Sequence, residues 1–328
     1  MQKVLVLGGA GYVGSQLVNS LITRGYEVVV YDTFWFGQTQ FAGLDHKRLE
    51  LVKADIRDIN TVREKLSGVT SVIHLACISN DPSFDLNPSL GKSINLDCFY
   101  PFVRVLKESG IQRFIYASSS SVYGVREEEK VTEDLPLLPL TDYSRFKAMC
   151  EEILLNEVDN EFTFAISRPA TVCGFSPRQR LDLVVNILTA HALLNKKIRV
   201  FGGEQYRPNL HIEDMVNSYI NLLEADANSI HREIFNVGSR NLTVRQIAEA
   251  VQKEIDSKIP IVFEETDDLR SYRVDSTKIE MRTGFKARYS VNDAVKDLRD
   301  NFYRLDSPQP LLDSRFINIR RMKELNLK

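Results

Sequence analysis

Along the first half of the chain, short apolar runs alternate with longer amphipathic stretches. KVLVL at 3–7, EVVVY at 27–31, LELV at 49–52, SVIHL at 71–75, RFIYA at 113–117 and FTFAIS at 162–167 each have the length and composition of a strand. Between them lie segments with helical spacing, among them YVGSQLVNSLITR and the longer NPSLGKSINLDCFYPFVRVLKES. Apolar strands separated by helices predict βαβ units and a parallel sheet covered on both faces. The fold class read from this pattern is α/β.

After Arg168 the rhythm changes. Pro169, Pro177 and Pro208 punctuate longer loops. Helices are predicted at 182–194, 213–225, 243–255 and 291–304, with short strands near 198–201, 234–237 and 260–263. This pattern predicts a smaller α/β substrate lobe on the C-terminal ends of the strands. The first domain is drawn at 1–168 and the second mainly at 169–328, with some elements free to return to the first. The tail from Ser307 is proline-rich and then basic, and leaves a strap, an oligomer contact and a mobile end all open.

Composition narrows the function classes. The chain has 328 residues, 43% of them hydrophobic, and a formal charge of −2. That charge argues against a dedicated nucleic-acid surface. No apolar run approaches the roughly 18 residues that would cross a membrane. Lys3 is followed at once by a patterned strand and a glycine turn, unlike a signal peptide. Cys77, Cys98, Cys150 and Cys173 form no CxxC pair, and the five histidines lack ligand spacing. Reduced thiols, no metal and a cytoplasmic location are therefore expected.

LGGAGYVGSQL follows the first strand and opens the first helix, with Gly8, Gly11 and Gly14 in GxxGxxG spacing. Such glycines serve a tight turn, close approach of backbone to a pyrophosphate, and close helix–strand packing. The helix N-terminus offers free N–H groups to phosphate. The second strand ends in Asp32, which can accept from adenosine ribose hydroxyls and would repel a 2′-phosphate, so NAD is favoured over NADP. The competing reading of Asp32 is a turn cap. Asp55 and Ile56, after the third strand, are in reach of an adenine.

Tyr143 and Lys147 stand at i and i+4, on one face of a predicted helix. A nearby ammonium favours the phenolate and lowers the tyrosine pKa, which makes a usable acid/base at neutral pH. Without further context the same spacing describes a half-buried tyrosine beside a surface lysine.

Taken together, GGAGYVGS, Asp32, ADIRD, VIHLA, ASSSSVYG, YSRFK and RPNLHIEDM resemble the extended short-chain dehydrogenase/reductase family of NAD-dependent nucleotide-sugar epimerases and dehydratases. The resemblance runs from residue 2 to about residue 305. It implies a Rossmann-type doubly wound sheet, held NAD and a nucleotide-diphosphate sugar lying between two lobes. It also implies Tyr143 as acid/base, Lys147 as its partner, and Ser119, three positions before the Val of VYG, as the catalytic hydroxyl. Tyr12, Val13, Leu75, Ala76, Cys77, Ala117 and Pro169 would join the cofactor contacts. Ser79, Ser120, Ser121 and Thr171 would line the sugar site. Thr171 stands where an Asn is usual, and Cys173 replaces a Tyr. Arg207 and Arg270 match phosphate-binding arginines, Arg178 and Arg180 lie where loop arginines could grip phosphate, and Asn186 could reach the diphosphate.

In 4,6-dehydratases of the family the two positions after the catalytic hydroxyl carry an Asp–Glu pair, and here they are Ser120 and Ser121. Unaided hydroxyls are poor substitutes for carboxylates in acid/base work. The expectation is therefore a 4-epimerase working through a transient 4-keto sugar. A C4 dehydrogenase or reductase is the close alternative, and a non-catalytic NAD-sensing regulator a distant one. The segment RPATVCGFSPRQRLDLVVN is similar to a subgroup acting on GDP-linked or related sugars, heptoses included, for surface polysaccharides. Helices around 88–108 and 143–157 would pair across a homodimer axis, as the family's do.

Overall fold

The structure is a computed structural model that describes residues 2–79, 81–267 and 270–327. Asp268 and Leu269, within the DLRSYRVD stretch, lie outside the described residues. The strands are β1 (Lys3–Leu7), β2 (Glu27–Asp32), β3 (Leu49–Lys53), β4 (Ser71–His74), β5 (Arg113–Ala117), β6 (Thr163–Pro169), β7 (Thr171–Cys173), β8 (Ile198–Phe201), β9 (Tyr206–His211), β10 (Glu233–Val237), β11 (Arg240–Thr243) and β12 (Ile261–Glu264). Seven of them form a parallel sheet in the order β10-β6-β5-β4-β1-β2-β3.

The apolar runs explain that sheet. Alternate residues of β1 go to opposite faces: Leu5 and Leu7 join one core with Val29, Phe102 and Phe114, while Val4 and Val6 join the other with Leu17, Val18 and Val30. Both faces are dry, which is why the strands read as nearly continuous hydrophobic runs. Strand order reverses between β1 and β4, and that switch point opens a crevice at their C-terminal ends.

The long helix predicted from 88 is broken into Pro88–Lys92, a π turn at Ser93–Asp97 and Phe99–Ser109. The extra residue of the π turn goes with Asn95 facing the sheet, where its amide accepts from Ile78 N–H at 2.9 Å and donates to Ile78 C=O at 3.0 Å. The helix predicted at 291–304 ends as Val291–Asn301, followed by a 3-10 turn.

The remaining strands form two small sheets, β11-β9-β7 and β12-β8. Three of them, β7, β9 and β11, escaped the pattern reading because they are short or polar, and β9 contains Pro208. Helices Val184–Asn195, Val244–Ile255 and Val291–Asn301 pack through Val185, Leu188, Ile247, Val251, Val291 and Val295 around Ile198 and Val200. The chain then returns to the large sheet: β10 pairs with β6, and helix Ile212–Glu224 lies against helix Tyr12–Thr23. No helix among the described residues is long and apolar enough to cross a membrane.

Behind the serine run sits a buried polar network. Arg168, near the end of β6, donates from Nη2 to Glu151 Oε2 at 2.6 Å and from Nε to Oε1 at 3.1 Å, both side chains being 3% exposed. Ser118 donates to the same carboxylate. Arg168 Nη1 donates to Tyr123 Oη at 2.8 Å, and Tyr123 donates to Asn236 on β10 at 2.7 Å. Burial works against the Arg168 charge, but the Glu151 hydrogen bonds and charge outweigh it and hold the guanidinium protonated. Removing one member of such a pair strands a buried charge. Arg168→Met or Glu151→Gln alone should lose about 3–5 kcal/mol in urea unfolding, while the double variant recovers much of that loss.

Candidate active site

The glycine turn joins β1 to helix Tyr12–Thr23 with no room for side chains. Gly8 has φ +75°, and a Cβ there would lie 2.6 Å from the Ala76 nitrogen. A Cβ on Gly14 would lie 2.5 Å from the Gly8 carbonyl oxygen. The helix is capped by Gly11 with no side-chain acceptor, so its first N–H groups are left for a ligand. Asp32 accepts from Ala10 N–H at 3.0 Å and from Phe34 N–H at 2.8 Å. Those two bonds leave carboxylate lone pairs free for ribose hydroxyls. Burial raises the Asp32 pKa, and the two backbone donors pull it back. The close glycine cradle, the uncapped helix start and this carboxylate together fit NAD.

Above the switch point opens a cleft of about 660 Å³. Its walls include Gly8, Gly11, Tyr12, Val13, Gly14, Asp32, Asp55, Ile56, Leu75, Ala76, Cys77, Ala117, Lys147 and Pro169, the whole expected cofactor set. They also include Ser79, Ser119, Ser120, Ser121, Tyr143, Thr171, Arg178, Arg180, Arg207 and Arg270. Asn186 is the exception. It is fully buried behind the wall, accepts from Gly174 N–H at 3.1 Å and donates to Arg180 C=O at 2.8 Å and Tyr12 Oη at 3.2 Å. Its amide is spent bracing the loop, so the structure does not bring it to the cleft.

Helix Asp142–Glu157 begins with a capping box in which the Thr141 and Ser144 side chains cap each other's backbone N–H groups. That fixes the first turn and so the direction of Tyr143. Lys147, 3% exposed, donates to Ala117 C=O at 2.6 Å. Its ammonium lies 4.9 Å from the Tyr116 ring centroid and 6.0 Å from that of Tyr143. The expected lowering of the tyrosine pKa is not what the protein alone provides. Burial pushes Tyr143 well above its ordinary value, opposed by a hydrogen bond from Ser119 and the charge of Arg180. The lysine is held toward the Ala117 carbonyl, and the phenol at rest keeps its proton.

The four serines are not equivalent. Ser118 belongs to the Glu151 network. Ser119 and Ser121 share a hydroxyl–hydroxyl hydrogen bond at 2.9 Å, and Ser120 pairs with Tyr272 Oη at 3.2 Å.

At the far end, Arg207 donates to the Arg270 carbonyl, and Arg270 forms an ion pair with Asp81. Arg180 donates to Asp182 at 2.9 Å and to Ser79 Oγ at 3.2 Å. Burial pushes the Arg178 guanidinium down to about 9, with Arg180 adding to the effect. Sequence reasoning missed Asp81, Asn95 and Asn318. For Asn95 there was a signal, an amide set among apolar positions of an amphipathic helix. Asn318 lies in the tail, where spacing carries no such cue.

The model of the NAD dependent epimerase/dehydratase family matches residues 4–238. UDP-glucose 4-epimerase of Bacillus subtilis is 26% identical over 321 residues, covering 90% of this chain and 95% of that one. The structure is similar to a Bacillus cereus UDP-glucuronic acid 4-epimerase in complex with UDP-glucuronic acid and NAD, with TM-score 0.83 and 25% identity, covering 93% of this chain and 100% of that one. A Streptomyces venezuelae dTDP-glucose 4,6-dehydratase with NAD bound has the same fold, with TM-score 0.82 and 24% identity, covering 92% of this chain and 98% of that one. With its glycine cradle, its Tyr–Lys helix and a match over well more than half of its length, the chain belongs to the NAD dependent epimerase/dehydratase family.

Proposed function

We propose that the protein is a nucleotide-sugar 4-epimerase working through a transient 4-keto sugar. The observation that carries the reading is the pair Ser120 and Ser121. Both positions after Ser119 hold hydroxyls, and both hydroxyls are hydrogen-bonded within the protein. Expelling a sugar hydroxyl calls for a carboxyl acid/base at this point, and Asp81, a carboxylate on the cleft wall, is ion-paired with Arg270. The 4-epimerase relative supports the same choice.

In this reading Tyr143 Oη takes the C4 hydroxyl proton and later returns it. Ser119 Oγ, which bonds both Ser121 and Tyr143, holds the sugar oxygen between them. Lys147, fixed by the Ala117 carbonyl, keeps N–H donors for a cofactor ribose hydroxyl and stabilises negative charge arising on Tyr143. NAD supplies the hydride acceptor, with a positive charge that adds to the lysine's pull on the phenol. Arg207, on β9, and Arg270, on a loop, grip the sugar diphosphate through paired N–H donors.

A second reading is a GDP-heptose-type C4 dehydrogenase or reductase that releases the keto sugar. The favouring observation is Thr171 on the cleft wall and Cys173 behind it, where the commoner epimerase pattern has Asn and Tyr. We also propose a homodimer through helices Phe99–Ser109 and Asp142–Glu157, which leave Tyr100 and Met149 exposed.

Incubation with UDP-, GDP-, CDP- and dTDP-sugars should give inversion at C4 by NMR without net absorbance at the NADH band. Stable NADH with a released ketone selects the second reading, and loss of water from the sugar rejects both. Tyr143→Phe should keep NAD and lose about 10²–10⁴-fold in turnover. Light scattering at micromolar concentration should report about twice the chain mass, and a monomer would reject the dimer.

A further inference from the structure

Chain beyond the small lobe folds back across the cleft. Phe316 and Ile317 pack with Leu181 and Ala190 on the small-lobe side, and Phe316 C=O accepts from Leu181 N–H at 2.9 Å. Helix Asn318–Glu324 then reaches the large lobe, where Met322 enters the main core and Arg321 Nε donates to the Trp35 carbonyl at 2.5 Å. Leu327 packs on the same core.

Asn318, between these anchors, uses its backbone N–H and its side-chain amide on residues of the cleft wall. Its backbone N–H donates to Asp182 at 3.1 Å, and its Nδ2 donates to Ser79 Oγ at 3.2 Å. Its Oδ1 accepts from Arg178 Nη2 at 2.6 Å. The Arg178 guanidinium lies over Phe36, 3.5 Å from the ring centroid, just past the β2 end marked by Asp32. The Arg178 backbone N–H donates to Ser15 Oγ, at 3.3 Å, in the first turns of helix Tyr12–Thr23. The guanidinium is thus held by Asn318 and over Phe36, close enough to Asp32 and to Tyr12, the first residue of the helix, for both to act on its charge. It is 5% exposed, and its Nε–H has no hydrogen-bond partner among the described residues. A buried charged donor without a partner calls for an anionic ligand.

We propose that the segment Phe316–Met322 is an integral part of the cofactor site, in which Asn318 is a positioning residue that holds Arg178 over the NAD phosphates and thereby slows release of the cofactor. Arg178 touches the cofactor, and Asn318 acts through it. The strap crosses the cleft, so NAD leaves only after the strap shifts or Arg178 lets go. The inference rests on the NAD site and not on the sugar chemistry, and its test contains no sugar, so either can fail while the other stands.

The whole protein is loaded with NAD, freed of excess cofactor by gel filtration, and release is followed by an added dehydrogenase that consumes free NAD. The fluorescence of Trp35, the chain's single tryptophan, reports the strap contact in parallel. Asn318→Ala and Arg178→Gln should each release NAD at least tenfold faster, with unchanged circular dichroism. The double variant should be no faster than Arg178→Gln alone, because both changes remove one contact. If Asn318→Ala does not fold, Asn318→Asp carries the test: it keeps the acceptor for Arg178 but loses the donor to Ser79, and should release slowly. Release within twofold of wild type in Asn318→Ala, multiplying effects in the double variant, or fast release from Asn318→Asp would overturn the proposal.

Discussion

Much of the site's geometry depends on one buried ion pair. Glu151 sits on the helix that carries Tyr143 and Lys147, Arg168 ends the strand beside the serine run, and Ser118 is bonded to the same carboxylate. Charges buried this deeply add little net stability, since desolvation takes back most of the Coulombic gain. Their effect is positional. With Glu151 satisfied by three donors, helix Asp142–Glu157 cannot slide along the sheet without stranding a charge. Its register relative to β5 is thereby set, and Lys147 meets the Ala117 carbonyl one turn before the pair.

The same network passes through Tyr123 and Asn236 to β10, a strand from the later part of the sequence. One set of hydrogen bonds therefore secures the helix that carries Tyr143 and Lys147, the serine run and the returning strand. From the serine run and this helix, the cleft receives three serine hydroxyls, the Tyr143 phenol and the Lys147 ammonium. Burial keeps that phenol protonated in the protein alone. In the proposed mechanism its acid/base use would draw on the charge that comes with the cofactor, since proton transfer without hydride transfer would be idle.

How far this was legible in the sequence follows from how local each signal is. The large sheet was readable because strands buried on both faces must be apolar at their centres, as Val4–Leu7 of β1 and Val28–Tyr31 of β2 are. The glycine turn was readable because backbone crowding at Gly8 and Gly14 admits no other residue. Strands β7, β9 and β11 were not, because they are short or polar, and take their order from pairing. Asn186 was misjudged for a related reason. An asparagine near the start of a helix carries the same letter whether it faces a ligand or its own loop, and only the fold shows Gly174 and Arg180 using its amide. The lowering of the Tyr143 pKa failed differently, since helical spacing fixes a shared face but not the direction of an ammonium that finds a carbonyl first.

The tail completes the argument about hydride economy. An enzyme that returns the hydride to the same sugar has no use for cofactor exchange, whereas one that releases a ketone must reoxidise or replace its cofactor each cycle. Asn318 bonds residues from both sides of the cleft, Ser79 from the large lobe and Asp182 from the segment leading into the small one. If the strap acts as proposed, exchange of the cofactor is slow. Slow exchange of that kind would suit the proposed epimerase, whose redox cycle closes within the cleft, and Ser120 and Ser121 argue for the same proposal from the other end of the site.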